Sequence, residues 1–347
     1  MEVEHFQTLY HVFVAAFCVF VITTAVDQGR VRCELDLFLY AFGQIGTVTW
    51  SWICMFVYTL LVPYKALVFW GSLYPKSNHK IMLSALVVIF LLVGQTCVLC
   101  IFPVYVVKHY QLPPASSFIV TLEQVRFLMK TYSFLREVVP TVLQKENKEV
   151  QLPQLSSYLY FLFCPTMIYR DSYPRTPYIR WKYVIKYFAK FLGCMYFICY
   201  VMATLCIPVF TNMSKQPFSV KTLVLSIFQA TLPGILVLLL SFYGLLHCWL
   251  NAFAEMLRFA DRMFYKDWWN STSFSNYYRT WNVVIHDWLF YYVYQELLWL
   301  LNRKFRSGAL LAVFLLSASV HEYAMTVSLG YFYPVMFLPL CNNWSPV

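Results

Sequence analysis

One histidine stands where histidines are rare. His321 and Glu322 lie inside the apolar run GALLAVFLLSASVHEYAMTVSLGYFYPV. Counted from the start of that run, His321 is about 20 Å along a helix, near mid-membrane if the run spans a bilayer. An ionisable pair at that depth is a functional site by default. A neutral imidazole in low dielectric is a general base. Ser317 is four residues earlier on the same helical face, placed to orient the ring or to meet a substrate. The plainer reading is a histidine satisfied by helix packing, and these residues alone leave both open.

The second stretch with chemical content is FYKDWWN, 264–270, inside NAFAEMLRFADRMFYKDWWNSTSFSNYYRTWNVVIHDWLFYYVYQELLWLL. Trp, Tyr, Arg and Lys concentrate here, a mixture that favours the membrane–water interface. The stretch is either an aromatic belt without chemistry or the mouth of a water-filled site. A buried base, a polar aromatic loop and a basic face together suit one kind of reaction. They point to transfer between a hydrophobic alcohol and an anionic, phosphate-rich activated donor.

These residues need elements to hold them, and the composition says which. The chain is 60% hydrophobic, 20% aromatic and only 12% charged. Soluble domains carry roughly 25% charged residues, so a polytopic membrane protein follows. Apolar runs at 9–26, 37–62, 82–107, 187–210, 222–250 and 308–334 are long enough to span. Pro63 is expected to end the second and Pro233 to kink the fifth. The acidic start MEVEH and the absence of a small-residue cleavage site make the first run a span rather than a cleaved signal.

The stretch 116–139 has helical periodicity but carries Glu123, Arg126, Lys130 and Arg136. Charge distribution decides how to read it. Three loops are rich in cations: 63–80 (Lys65, Lys76, Lys80), 140–186 and 257–306. The loops 27–35, 108–114 and 211–221 are poor in them. The rich loops share one side only if 116–139 crosses the membrane, with its charges turned to a cavity or to partner helices. The prediction is an all-α, seven-span bundle with its basic loops cytosolic. The segment 158–169, YLYFLFCPTMIY, is too short to span and is expected in the interface.

Other chemistries are excluded. The basic residues are spread over loops between apolar runs, which argues against nucleic acid. No ligand spacing for zinc appears, and no GxSxG nucleophile. Cys97 and Cys100 form a CxxC, but inside GQTCVLCIF they read as buried membrane cysteines. His79 and His109 read as loop or interfacial residues, and His247 lies near a span end.

FYKDWWN followed by YYRTWNVVIHDW and SASVHEY resembles the sterol O-acyltransferases of the membrane-bound O-acyltransferase (MBOAT) family. The similarity covers nearly the whole chain, including MEVEHFQTLYHVF, LPPASSFIVTLEQVRF, YLYFLFCPTMIYRDSYPR and LHCWLNAFAEMLRF. The heptapeptide is shared with diacylglycerol acyltransferases, whereas RTWNVVIHDW and the opening segment look like the sterol branch. FLFCPTMIYR and SFSNYYRTWN look closer to its second isoform.

The resemblance implies transfer of a long-chain acyl group from fatty acyl-CoA to the 3-hydroxyl of cholesterol, in the endoplasmic reticulum membrane. Acyl-CoA is the co-substrate, no cofactor is held permanently, and no metal is needed. One MBOAT domain covers 1–347. Cholesterol, membrane lipid and further copies of the chain are the implied partners. His321 matches the catalytic histidine and Asn282 the second catalytic position. Asn276, Arg279, His286, Tyr294, Arg306 and Ser317 match positions along the acyl-CoA path, and His5 falls near the sterol entrance. Within the motif, Phe264, Tyr265 and Asp267 accompany Trp268, Trp269 and Asn270, the last three expected to be packed. Lys266 and Asp267 form a solvated pair or order the loop. The sequon NST, 270–272, is silent on a cytosolic loop.

Family members carry a cytosolic N-terminal extension and about two spans beyond the histidine helix. This chain ends at MFLPLCNNWSPV. The expectation is a form short at its C-terminus, lacking the final helices, with weak or no activity unless partner subunits compensate. The alternatives are a diacylglycerol acyltransferase, a transporter or channel with a proton relay, and a non-catalytic fragment that poisons the intact enzyme.

Overall fold

The computed structural model describes residues 31–144, 152–215, 217, 219–332 and 334. Among them no named strand occurs, and the secondary structure is helical. Five helical stretches are long and apolar enough to cross a membrane: 36–76, 80–109, 181–214, 220–256 and 306–329. These match five of the predicted spans. The run 9–26 lies outside the described residues.

The described residues form two compact units. The smaller holds 31–40 and 194–240, with Tyr200, Val201 and Cys206 as its buried cluster. The larger holds 41–144, 152–193 and 241–334, and every candidate site residue that is described belongs to it.

The first helices are α1 (Val31–Ala41), α2 (Ile45–Leu73), α3 (Lys80–Gln95) and α4 (Phe102–His109). A π turn, Thr96–Ile101, joins α3 to α4 immediately before Pro103. On α3, Ile81, Leu86, Ile89, Phe90 and Val93 are all exposed, as expected of a helix whose solvent is lipid. Cys97 and Cys100 are likewise exposed on this apolar stretch.

Pro63 does not end the second span. It is buried within α2, which runs on to Leu73. Proline removes the N–H that would bond the carbonyl four residues back, here that of Thr59. The Tyr158 hydroxyl donates to that carbonyl at 2.9 Å, so the freed acceptor is satisfied and the helix continues.

The polar stretch forms α5 (Pro114–Gln144), at 31 residues about 46 Å long. It is long enough to cross but is not among the stretches apolar enough to do so by composition. Glu123, Arg126 and Lys130 face protein, as expected, whereas Arg136 is exposed. Arg126 grips Glu123 through Nε and Nη2, at 2.7 and 2.6 Å, and the Trp52 indole donates to the same carboxylate at 2.6 Å. Arg136 pairs with Glu296.

The short segment 158–169, expected in the interface, packs into the core of the larger unit over its first residues. These lie in α6 (Leu155–Phe163), and Tyr158, Phe161 and Leu162 are buried against Leu67, Trp70, Phe134 and Val138. Lys130 of α5 accounts for this. It is fully buried, and its ammonium donates to the carbonyls of Phe161, Leu162 and Cys164 at 2.7, 3.0 and 2.7 Å. A helix leaves its last carbonyls without partners. Here a cation from a neighbouring helix supplies them, so the short helix needs neither water nor headgroups.

The chain continues through α7 (Trp181–Val201), α8 (Ile207–Ser214), α9 (Val220–Ser241) and α10 (Leu250–Met256). π turns at Met202–Cys206 and Phe242–Trp249 lie between them, the first just before Pro208. Pro233 sits buried inside α9, which runs unbroken to Ser241.

Candidate functional site

The site is carried by two neighbouring pieces of the larger unit. The first is α14 (Arg306–Leu329), which holds His321 and ends on Gly330 in the left-handed conformation, φ 81°. It packs along α5, and the Tyr323 hydroxyl lies 2.7 and 2.9 Å from the two amide atoms of Gln124. Ala309, Ala318 and Ala324 are buried, small residues that permit this close approach.

His321 is exposed at the helix surface, and its Nδ1 is 2.7 Å from the Ser317 carbonyl oxygen. A carbonyl only accepts, so Nδ1 carries the proton of the neutral ring and Nε2 is left with its lone pair. Ser317 does orient the imidazole, through its backbone rather than its hydroxyl. Glu322, next in sequence, is buried.

The second piece runs from the motif to α13. FYKDWWN leads into α11 (Phe274–Trp281), α12 (Val283–Leu289), a π turn at Phe290–Tyr294 and α13 (Gln295–Leu300). Ser273 caps α11 by accepting from the Asn276 N–H. Asn282 sits at the break between α11 and α12, where its Oδ1 accepts from the Ile285 N–H at 3.2 Å. This cap fixes the amide: the oxygen is used and Nδ2 remains a donor. The pieces touch where Tyr278, one turn before Asn282, meets Phe314, two turns before His321, at 5.5 Å between rings.

The motif is held by its main chain. Lys266 N–H donates to Thr280 O at 2.8 Å, and Val283 N–H to Phe264 O at 2.9 Å. Phe264 is buried with Cys164, Ala254 and Phe259. Tyr265, its phenol raised by burial and so kept protonated, places its hydroxyl 2.7 Å from His247 Nδ1. Trp268 packs edge-on to Phe242 and Trp281, at 4.9 and 4.6 Å. Trp269 and Asn270 are not packed: Trp269 is 55% exposed and Asn270 is exposed. The tight turn Trp268–Asn270 points only its first side chain inward. Lys266 and Asp267 are both exposed and make no ion pair among the described residues.

Of the other predicted positions, His286, Phe290 and Tyr294 form a ladder of stacked rings, at 6.3 and 5.7 Å. Asn276, Arg279 and Arg306 are exposed, with the Asn276 amide donating to Ser271 Oγ at 3.2 Å. His5 lies outside the described residues. The grooves around 100–109 and 299–303 include neither His321 nor Asn282.

Sequence reasoning missed the struts beneath α12 and α13. The Trp288 indole donates to Ser133 Oγ at 2.9 Å, and Ser133 in turn donates to Met167 O at 2.6 Å. The Tyr292 phenol, held well above its ordinary value by burial and by Glu137 beside it, donates to that carboxylate at 3.0 Å. Tyr132 donates to Glu296 at 2.7 Å. A second missed hub is Glu255, fully buried, which receives Arg180 at 2.9 Å and Arg262 at 2.6 Å just before the motif. The signal for the struts was the run of polar residues on α5, whose partners no spacing rule identifies.

The chain is similar to known proteins. The model of the membrane-bound O-acyltransferase family matches residues 35–342. The chain is 56% identical to sterol O-acyltransferase 2 of Mus musculus over 343 residues, covering 97% of this chain and 65% of that protein. Its identity to sterol O-acyltransferase 2 of Homo sapiens is also 56%, over 345 residues with the same coverage. Sterol O-acyltransferase 1 of Rattus norvegicus is 54% identical, covering 97% of this chain and 63% of that protein. The chain thus spans about 65% of the length of the relatives it matches, and 56% against 54% does not separate the two types.

Proposed function

The chain belongs to the membrane-bound O-acyltransferase family, and from that footing we propose that it transfers a long-chain acyl group from acyl-CoA to the 3-hydroxyl of cholesterol. The product is cholesteryl ester, made in the endoplasmic reticulum membrane. One observation carries the reading: the His321 ring is locked by the Ser317 carbonyl in the tautomer that leaves Nε2 basic.

In this mechanism Nε2 takes the proton of the sterol hydroxyl as its oxygen attacks the thioester carbon. The carbonyl oxygen becomes negative, and Asn282 Nδ2 donates to it. The carbon–sulfur bond then breaks, and the imidazolium returns its proton to the CoA thiolate. The ladder of His286, Phe290 and Tyr294 offers an apolar wall to the acyl chain, and exposed Arg279 and Arg306 offer cations to the CoA phosphates. The relatives' printed names support a sterol as acceptor over diacylglycerol.

The test is cholesteryl ester formation from labelled oleoyl-CoA, in microsomes of cells lacking their own sterol acyltransferase. Ester made by this chain and lost in His321→Ala at matched expression supports the proposal. Equal ester in both removes His321 from the mechanism. Ester on diacylglycerol alone replaces the sterol reading.

A further inference from the structure

The turn between α13 and α14 has no role in the chemistry above, yet it is tightly built. Asn302 and Arg303 both occupy the left-handed region, φ 49° and 58°, which asparagine accepts and arginine rarely adopts. The turn is nevertheless fully tied. Arg303 N–H donates to Leu298 O at 2.7 Å, Asn302 N–H to Trp299 O at 3.1 Å and Lys304 N–H to Leu301 O at 3.0 Å. Gly308 gives Phe305 room, since a Cβ there would stand 2.7 Å from the Phe305 ring.

What this turn holds out is unusual. Trp299 is 76% exposed, Phe305 67% and Leu300 65%. Arg303, Lys304 and Arg306 are exposed beside them, and none forms an ion pair among the described residues. Trp299, Leu300, Asn302 and Arg303 line one groove. Large apolar side chains next to unpaired cations, at the head of a span, match the boundary between acyl chains and headgroups.

We propose that the turn 299–305 is a docking surface for an anionic phospholipid of the leaflet that α14 enters. Trp299, Leu300 and Phe305 sink into the acyl boundary, and Arg303 and Lys304 bind the headgroup phosphate. Charge complementarity and the apolar ring together select this occupant. A soluble anion has no use for Trp299 and Phe305, and a neutral lipid has none for the cations. Each cation near a charged leaflet changes binding about fivefold.

The test needs no catalysis, so it stands apart from the acyltransfer proposal. The full chain is placed in lipid nanodiscs containing brominated phosphatidylserine or brominated phosphatidylcholine. The quenching due to Trp299 is the difference between the chain and its Trp299→Phe variant. Trp299 is expected to be quenched at a lower mole fraction of the serine lipid than of the choline lipid. Arg303→Asn with Lys304→Gln should raise that mole fraction about twenty-five-fold, Asn being chosen because it accepts the left-handed backbone. High salt should do the same to the unmutated chain, which excludes misfolding as the cause. Trp299 unquenched by either lipid overturns the proposal, as does equal quenching by both that ignores the two substitutions. Loss of the preference on adding free CoA at constant ionic strength also overturns it, and assigns the cations to the co-substrate.

Discussion

Lys130→Met tests the account of how the short helix α6 is held. The ammonium donates to the carbonyls of Phe161, Leu162 and Cys164. Leu162 keeps a second donor, Arg126 Nη1 at 2.7 Å. Phe161 O has no helical replacement, because residue 165 is proline and has no N–H. Cys164 O loses its partner as well. Two orphaned buried carbonyls, at about 1–3 kcal/mol each, give a loss of about 2–6 kcal/mol. For a chain of this size that is a fall of roughly 5–15 °C in thermal midpoint, at about 2–3 °C per kcal/mol. The assay is thermal unfolding of purified protein in detergent, followed by the monodispersity of heated samples. Lys182→Met, at an exposed position, is the control. A Lys130→Met midpoint within 2 °C of the control would refute the claim that the ammonium holds these carbonyls.

The remaining expectations concern the site and the motif. Ser317→Ala should lower ester formation less than about fivefold, since a backbone carbonyl orients the ring, whereas His321→Ala should cost at least about a hundredfold; initial rates in microsomes separate them. Asn282→Asp keeps an N-cap acceptor but removes the donor, so turnover should fall about 10²–10³-fold with the thermal midpoint unchanged. Loss of both together would mean that Asn282 acts only as a cap. Glu255→Ala leaves the partly buried Arg262 side chain without its carboxylate and should destabilise by about 1–3 kcal/mol, read as a lower thermal midpoint. Protease sensitivity around 258–264 should rise with it.

The fold was legible where lipid is the solvent. Five apolar runs read as spans because nothing but length and hydropathy is needed there. The polar helix 114–144 was legible as a helix through its periodicity. What escaped was each case in which one element satisfies another. Pro63 reads as a stop until Tyr158, ninety-five positions later, fills the gap. Nothing in the segment 158–169 shows that Lys130 supplies the carbonyls of Phe161, Leu162 and Cys164. In the site, His321 stood out because an ionisable group in an apolar run is costly. Asn282 did not, because one asparagine in a polar loop carries no such penalty, and only the family resemblance pointed to it. Trp269 and Asn270 read as packed because the motif is so aromatic, but a three-residue turn has room to bury only Trp268.

The bond from Tyr158 to Thr59 O restricts the order in which this sequence can change. With Pro63 present, losing the tyrosine hydroxyl strands a buried carbonyl. If Pro63 is first replaced by alanine, the helix regains its own N–H donor at that carbonyl, and Tyr158→Phe becomes nearly neutral. The two positions, distant in sequence, are therefore coupled in history: the proline can be lost ahead of the hydroxyl, but the reverse path crosses a less stable intermediate. Relatives with phenylalanine at the tyrosine position should lack proline at the other, a pairing that an alignment would reveal.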